Sequence, residues 1–343
     1  MKFFSCNCIE HELVLDHMNT VRHCSYHNKN YGGRAIIYEN FDGNNFSKED
    51  FFYRKNKLRS LFRNGKCPSM CTECIHLIEK EWDDEDYLNY ILLTPWTDCN
   101  SKCVYCPVTT DEYVIKNTRK YDYFSVIKYM FDNDFFINGT VFDFAGGEPT
   151  MYEKFDDILK LIETLNDYKI VIHTNSFKHS NVVENLIPNG KCNVLTSIDA
   201  GNKELFYKIK KVDAFDDVCN TLSKYSNAQK ERKNAVKTKY IIIPGINDYK
   251  EYISEWLELN KKLNIISVVL NLDFNWLIHN QELIDLQKKL PRTSDNLTLK
   301  LYDLIDYTIQ EGKKLGIRVS LYGEIFTLKT LVEGKMSENI VDY

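Results

Sequence analysis

From residue 90 onward, short apolar and β-branched runs alternate with segments of helical period, and this alternation constrains the fold more than any other feature. The runs cover 90–94, 140–144, 169–173, 193–198, 237–243 and 265–272. Helical patterns fill 123–133, 155–166, 181–186, 214–226 and 250–263, with a longer one over 297–315. Strands separated by helices of this length pair in parallel through right-handed crossovers. The expected class is therefore α/β, and six such units are too few for a complete eight-stranded barrel.

In parallel sheets ligands bind at the carboxyl ends of strands, so residues just after each run carry the chemistry. The first run leads into 94–107, TPWTDCNSKCVYCP, where Cys99, Cys103 and Cys106 stand as C-x3-C-x2-C with Tyr105 before the last cysteine. Three thiolates cannot complete a four-ligand zinc site by themselves. They can hold three irons of a cubane [4Fe–4S] cluster and leave the fourth iron open. The plain alternative is three unrelated buried cysteines. The second run ends in Gly146, Gly147, Glu148 and Pro149. Paired glycines let the backbone approach a ligand closely, proline fixes the exit, and the carboxylate offers an acceptor for an ammonium.

The third run ends in HTNS, in which Asn175 is a candidate contact or a plain turn residue. The fourth ends in Ser197-Ile-Asp199, and two residues two apart in a strand point to one side, which suits a sugar diol. A helix cap and turn is the other reading. The fifth enters a turn containing Pro244 and Gly245, and the sixth ends at 271–273. No G-x-x-x-x-G-K-[ST] phosphate loop and no G-x-S-x-G elbow is present.

The first 85 residues differ in kind. Nine of the 11 cysteines fall within the first 106 residues, six of them as Cys6, Cys8, Cys24, Cys67, Cys71 and Cys74. A small irregular segment of this composition gains from a metal staple. Residues 12–24 alternate around Asn19-Thr20 and predict a hairpin, 48–62 predict a helix, and the acidic run 79–86 predicts a solvated linker. An auxiliary [4Fe–4S] cluster, a structural zinc site aided by His17, His23, His27 and His76, and no metal at all are the three readings of this cysteine-rich module. Cys192 and Cys219 stand alone and are expected to be small buried hydrophobes. The expected organisation is a cysteine-rich metal-binding domain over 1–85, a catalytic domain over 86–315 and an extension over 316–343.

A net charge of −5 gives no footprint for nucleic acid or anionic membrane, and no apolar run of spanning length or secretory signal is present. The expectation is a cytoplasmic protein whose cysteines serve metal or redox chemistry.

Taken together, the cysteine loop, the GGEP tip, the polar third tip and the S-x-D tip resemble the radical S-adenosylmethionine (radical SAM) enzymes over roughly 88–275. The resemblance implies a partial (β/α)6 TIM-like barrel. It implies a cluster held by Cys99, Cys103 and Cys106, with SAM chelating the open iron. Gly146, Gly147, Glu148 and Pro149 would bind the methionine amino group, Ser197 and Asp199 the ribose, and backbone near Pro244 and Gly245 the adenine, with Tyr105 and Asn175 nearby. Cys8, Asn19 and Cys24 are similar in spacing to the opening of SPASM and Twitch auxiliary-cluster domains, with Asn19 where the family has glycine. The implied activity is one-electron SAM cleavage and hydrogen-atom abstraction from a small molecule (sugar, aminocyclitol or amino acid) or a peptide. A flavodoxin or ferredoxin would supply the electron. An activating enzyme for a partner protein and a non-catalytic zinc-module binding protein are the alternatives.

Overall fold

The computed structural model describes residues 2–25, 35–44, 46–72, 74, 76–106, 121–273 and 297–322. His27, Pro107 and the tail beyond 322 lie outside them. The chain divides into two compact units, Met1–Cys99 with Thr110–His173 and Asn100–Thr109 with Thr174–Tyr343. The boundaries expected at 85 and 315 are not where the units part.

The first unit runs β1 (Lys2–Ser5), α1 (Asn7–His11), β2 (Glu12–Asp16), β3 (Val21–Arg22), β4 (Ile36–Tyr38), α2 (Lys48–Arg63), β5 (Ile78–Glu81), β6 (Leu88–Thr94), α3 (Tyr123–Asp132), β7 (Phe136–Phe144), α4 (Phe155–Ile162) and β8 (Tyr168–Thr174). Its main sheet has the order β8-β7-β6-β2-β3-β4. Strands β6, β7 and β8 are parallel, with Leu93 opposite Phe144 and Phe144 opposite Ile172. One face of these strands is apolar and covered by helices. Phe142 meets Phe131 of α3 at 5.8 Å between ring centroids, and Phe144 meets Phe155 of α4 at 5.5 Å.

Strand β2 pairs in parallel with β6, Val14 opposite Leu92. The N-terminal segment is thus part of the sheet and not a separate module. All five residues of β2 are buried. A strand covered on both faces shows a continuous apolar core in place of alternation, so its place in a parallel sheet is hidden. The expected hairpin is present, with β2 antiparallel to β3 and Asn19 at φ +54. Asp16 organises the turn by accepting the Met18 N–H at 2.9 Å, the Thr20 hydroxyl at 2.7 Å and Arg22 Nε at 2.8 Å.

Helix α2 fastens this segment in place. Ser47 caps it by accepting the Asp50 N–H at 3.1 Å. Two cations on its inner face are wholly buried. Arg59 Nε donates to Glu10 Oε2 at 2.7 Å, Ser5 Oγ donates to Glu10 Oε1 at 2.6 Å, and Lys55 Nζ donates to the Glu12 carbonyl at 2.9 Å. The acidic run is only partly a linker. Its start is β5, antiparallel to β1, and Trp82 behind it is buried with Nε1 donating to the Phe3 carbonyl at 3.1 Å.

The second unit runs α5 (Asn181–Leu186), β9 (Cys192–Ser197), α6 (Lys203–Lys210), α7 (Phe215–Ala228), β10 (Val236–Ile242), α8 (Lys250–Lys262), β11 (Ser267–Leu272), α9 (Leu297–Leu315) and β12 (Arg318–Leu321). The order is β12-β11-β10-β9, all parallel, so the start of the expected extension completes a sheet edge. The alternation correctly predicts the six strands β6 to β11 and misses α6. Asn202 caps α6, accepting the Leu205 N–H at 2.8 Å. The α/β class holds in both units. Among the described residues no helix is long and apolar enough to cross a membrane.

Candidate functional site

In the first unit the parallel pairing of β6 and β7 continues past the strand ends. The Ala145 N–H donates to the Leu93 carbonyl at 2.9 Å, and the Glu148 N–H donates to the Asp98 carbonyl at 2.8 Å, one residue before Cys99. The two loops are zipped along their backbones. Gly147 sits at φ +42, and a Cβ there would lie 2.8 Å from the Asp98 oxygen and 2.9 Å from the Trp96 oxygen. Only glycine allows this approach. Gly146, at φ +72, would bring a Cβ within 3.1 Å of Thr94 Cβ. Pro149 opens a 3-10 turn, Pro149–Met151, and the Glu148 carboxylate caps it. Its Oε1 accepts the Thr150 N–H at 3.2 Å and the Thr150 hydroxyl at 2.6 Å, with the side chain 1% exposed.

The rest of the cysteine loop belongs to the second unit, where α6 cradles it. The Lys102 N–H donates to the Lys210 carbonyl at 3.0 Å, and the Val104 N–H donates to the Ile209 carbonyl at 3.0 Å. The Ser101 hydroxyl reaches the Lys210 carbonyl at 3.2 Å and lies 3.0 Å from Cys103 Sγ. The Cys106 N–H donates to the Cys103 carbonyl at 3.0 Å. These bonds answer the unpaired carbonyls every helix leaves at its C-terminus. Asn175 adds a further tie, its Oδ1 accepting the Phe177 N–H at 3.0 Å and its Nδ2 donating to Asn100 Oδ1 at 2.6 Å.

Asp199 is tied into the fold by its side chain. Strand β9 ends at Ser197, and Asp199 turns to φ +58, so strand alternation no longer aligns the two side chains. Its carboxylate is fully buried. Oδ2 accepts the Tyr105 hydroxyl at 2.6 Å and Lys210 Nζ at 2.5 Å, and Oδ1 accepts the Ile241 N–H at 2.7 Å. Both oxygens accept hydrogen bonds from the protein. Lys210 Nζ also donates to the Tyr105 oxygen at 2.7 Å. Burial first, and the Asp199 charge next, hold the Tyr105 hydroxyl well above its ordinary pKa. Ser197 stays half-buried at the strand end, beside Lys239 of β10.

The turn after β10 is built by Asn247, which is wholly buried. Its Oδ1 accepts the Ile243 N–H at 2.6 Å and its Nδ2 donates to the carbonyls of Ile241, at 2.9 Å, and Asp199, at 3.2 Å. Pro244 is half-buried and Gly245, at φ +81, is exposed, with its N–H donating to Asp248 Oδ1 at 2.8 Å. The structure thus presents backbone at 244–245 and hides the asparagine that shapes it.

The six early cysteines are neighbours in the first unit. Cys6 caps α1, accepting the Ile9 N–H at 3.5 Å, and a hydrogen bond from Cys8 holds its thiol down to about 7. Hydrogen bonds to Cys24 and then Cys6 raise the Cys8 thiol. Burial pushes Cys71 up to about 12, with the charges of Cys6, Cys67, Cys24 and Cys74 adding to it. Cys6 and Cys71 share an apolar cluster with Phe3, Ile9, Phe62 and Trp82. Among the described residues no three His, Cys, Asp or Glu side chains close on a point as ligands of a single metal ion. A cubane asks for something else, because each thiolate takes a different iron and the ligands stand apart around the cluster. Both cysteine sets offer thiolates, the donor type such a cluster takes. Cys192 is buried as expected and Cys219 half-buried.

Three features escaped the sequence reading. Lys210 and α6 were signalled by Asn202 followed by Leu205, Phe206 and Ile209 at helical spacing, and Asn247 stood inside a recognised turn. The third is a polar set on the face of β6, β7 and β8 opposite Phe142 and Phe144. There the Tyr90 hydroxyl donates to Asp143 Oδ2 at 2.6 Å, and His173 Nε2 lies 3.3 Å from Asp143 Oδ1.

Known proteins resemble the chain in part. A Brachyspira hyodysenteriae protein named GTPase Obg is 27% identical over 181 residues, 49% of this chain and 25% of that protein. GTP 3',8-cyclase of Clostridium botulinum is 26% identical over 184 residues, 52% of this chain and 54% of that protein. The chain thus spans a quarter to about half the length of these curated relatives. Among solved structures, Streptococcus suis SuiB bound to S-adenosylmethionine superposes with a TM-score of 0.51 at 14% identity, covering 83% of this chain and 59% of that one. SuiB bound to its precursor peptide SuiA gives 0.50 at 13%, covering 97% and 75%. At such identity these two show the fold alone, and it is the one that the alternation and the motifs predict. The family model described as Radical SAM superfamily matches residues 93–264, half of the chain, and the chain belongs to that superfamily.

Proposed function

We propose that this protein cleaves S-adenosylmethionine reductively at a [4Fe–4S] cluster and uses the product to take a hydrogen atom from a peptide or small-molecule substrate. The observation that carries the reading is the zipped pair of loops, Glu148 N–H on the Asp98 carbonyl with Gly147 pressed against two carbonyl oxygens. It joins the cysteine loop to the GGEP loop at neighbouring strand ends. Cys99, Cys103 and Cys106 would hold three irons, and the fourth would take the amino and carboxylate groups of SAM. When bound, cluster and SAM supply one-electron scission of a sulfonium C–S bond and the 5'-deoxyadenosyl radical. The chain's own residues position the reactants. Gly146 and Gly147 give close backbone approach to the methionine end, and Glu148, fixed by Thr150, supplies a carboxylate for its ammonium. Ser197 at the end of β9 and the backbone at Pro244 and Gly245 line the nucleoside end.

Cys6, Cys8, Cys24, Cys67, Cys71 and Cys74 would supply the ligands of an auxiliary [4Fe–4S] cluster. What supports a metal centre here is that six cysteines brought together from distant parts of the sequence are neighbours in one unit, and thiolates are the ligands such a cluster takes. Such a cluster suits oxidative chemistry, in which an electron must leave the substrate radical. An acidic electron-transfer protein such as a flavodoxin or ferredoxin would supply the initiating electron. SuiB is solved with its precursor peptide, which makes peptides the first substrates to screen.

The test is anaerobic reconstitution with iron and sulfide, counting iron per chain in wild type and in a Cys99/Cys103/Cys106→Ala variant. About eight irons falling to about four supports both clusters. About four falling to none, with zinc retained, reduces the early cysteines to a scaffold. No iron in either protein overturns the enzyme reading.

A further inference from the structure

A lysine this deeply buried is a poor choice for packing alone, since the charge loses its water and a methionine would fill the space more cheaply. The Lys210 side chain is 2% exposed and its partner Asp199 fully buried. What the pair does is visible in its contacts. Lys210 grips the cysteine loop at both ends of the residue. Its carbonyl accepts the Lys102 N–H and the Ser101 hydroxyl, while its ammonium donates to the Tyr105 oxygen. The ammonium is itself held by Asp199, whose other oxygen is fixed by the Ile241 N–H and whose carbonyl is fixed by Asn247. Polar contacts therefore run without a break from β10 through Asp199 and Lys210 to Tyr105, which stands between Cys103 and Cys106.

We propose that Lys210 is a positioning residue that holds segment 101–106 in its ligating shape before any cluster is loaded. Its ammonium, balanced by Asp199, also sets the charge felt at Cys103 and Cys106. The second half rests on the reading of these cysteines as cluster ligands. The first half concerns the iron-free chain and stands apart from it.

Hydrogen exchange of the iron-free protein, followed by mass spectrometry, tests the first half. In Lys210→Met the amides of 101–106 should exchange at least about tenfold faster, and in Lys210→Arg they should return toward wild type. Tyr105→Phe removes a single hydroxyl, and it should accelerate the same segment even if Lys210→Met fails to fold. Unchanged exchange of 101–106 in Tyr105→Phe, or in a folded Lys210→Met, overturns the clamp. In reconstituted protein, a redox titration followed by electron paramagnetic resonance tests the charge. Lys210→Met should lower the cluster midpoint potential and Asp199→Asn should raise it, because each leaves the opposite charge behind. Shifts in one direction, or none, overturn the electrostatic role and leave the exchange result intact. A wild-type protein that takes up no iron at all would instead refute the functional reading.

Discussion

Gly147→Ala probes the joint between the two loops directly. The added methyl would stand 2.8 Å from the Asp98 oxygen and 2.9 Å from the Trp96 oxygen, where ordinary contact begins at 3.4 Å. Both obstacles are backbone, so no side chain can swing aside. The loop itself must move. A φ of +42 costs an alanine about 1–2 kcal/mol more than a glycine. Withdrawing the loop also breaks the Glu148 N–H bond to Asp98, worth about 1 kcal/mol net. The sum is roughly 2–3 kcal/mol. If it falls on the liganded arrangement, it corresponds to a loss of about 30- to 150-fold in SAM affinity. Calorimetric titration of SAM into anaerobically reconstituted protein measures this, with iron content checked in parallel. Gly65→Ala is the control, because it shares a left-handed backbone, φ +70, but meets nothing within 4 Å. It should lose a little stability and keep its SAM affinity. A Gly147→Ala protein with full iron that binds SAM within about threefold of wild type would refute the argument that this approach builds the site.

Three further outcomes follow from the geometry. Arg59→Met strips the partner from a fully buried Glu10 carboxylate and should cost about 3–5 kcal/mol in urea denaturation of the iron-free protein, most of it recovered in Glu10→Met/Arg59→Met. Burial holds His11 below its ordinary value of 6.5, so the unfolded chain takes up this proton at higher pH than the folded one. Its contribution is complete above that value and is lost as pH falls through it. Stability should therefore decline between about pH 7 and 5, and His11→Phe, which keeps the ring stacked at 4.1 Å on Tyr87, should flatten that slope. Gly201→Ala would put a Cβ 2.2 Å from the Glu255 carbonyl carbon and 2.3 Å from the Trp256 nitrogen. Displacing α8 from the Asp199 turn should cost roughly 1–3 kcal/mol, measured as a lower unfolding midpoint.

What was legible in the chain was what neighbours in sequence decide. Cys99, Cys103 and Cys106 lie on one loop, and GGEP follows a strand of plain β pattern, so spacing alone located them. The Asn19 turn was legible for the same reason, because a residue tolerant of positive φ sat between two alternating stretches. The second pairing of strand β2 was not, because burial of Leu13, Val14 and Leu15 says that the strand is covered and not which strand lies beside it. Its partner β6 lies 78 residues away in sequence, Glu12 pairing with Tyr90. The acidic residues after β5 looked like a solvated run, yet Asp86 turns inward to Arg59 at 3.1 Å.

Asp199 shows the sharper limit. A strand rule applied to Ser-Ile-Asp is sound while the strand lasts, and the strand ends at Ser197, two residues before Asp199. What the carboxylate meets in the fold is Lys210, on a helix the pattern missed, and Tyr105, almost a hundred residues earlier. That outcome also explains what the cysteine loop offers to a cofactor. The carbonyl of Asp98 is taken by Glu148, the N–H groups of Lys102 and Val104 by α6, and the Tyr105 hydroxyl by Asp199. With these main-chain and hydroxyl groups committed to the fold, the loop that carries Cys99, Cys103 and Cys106 is shaped by the protein itself, as the proposed cluster site requires.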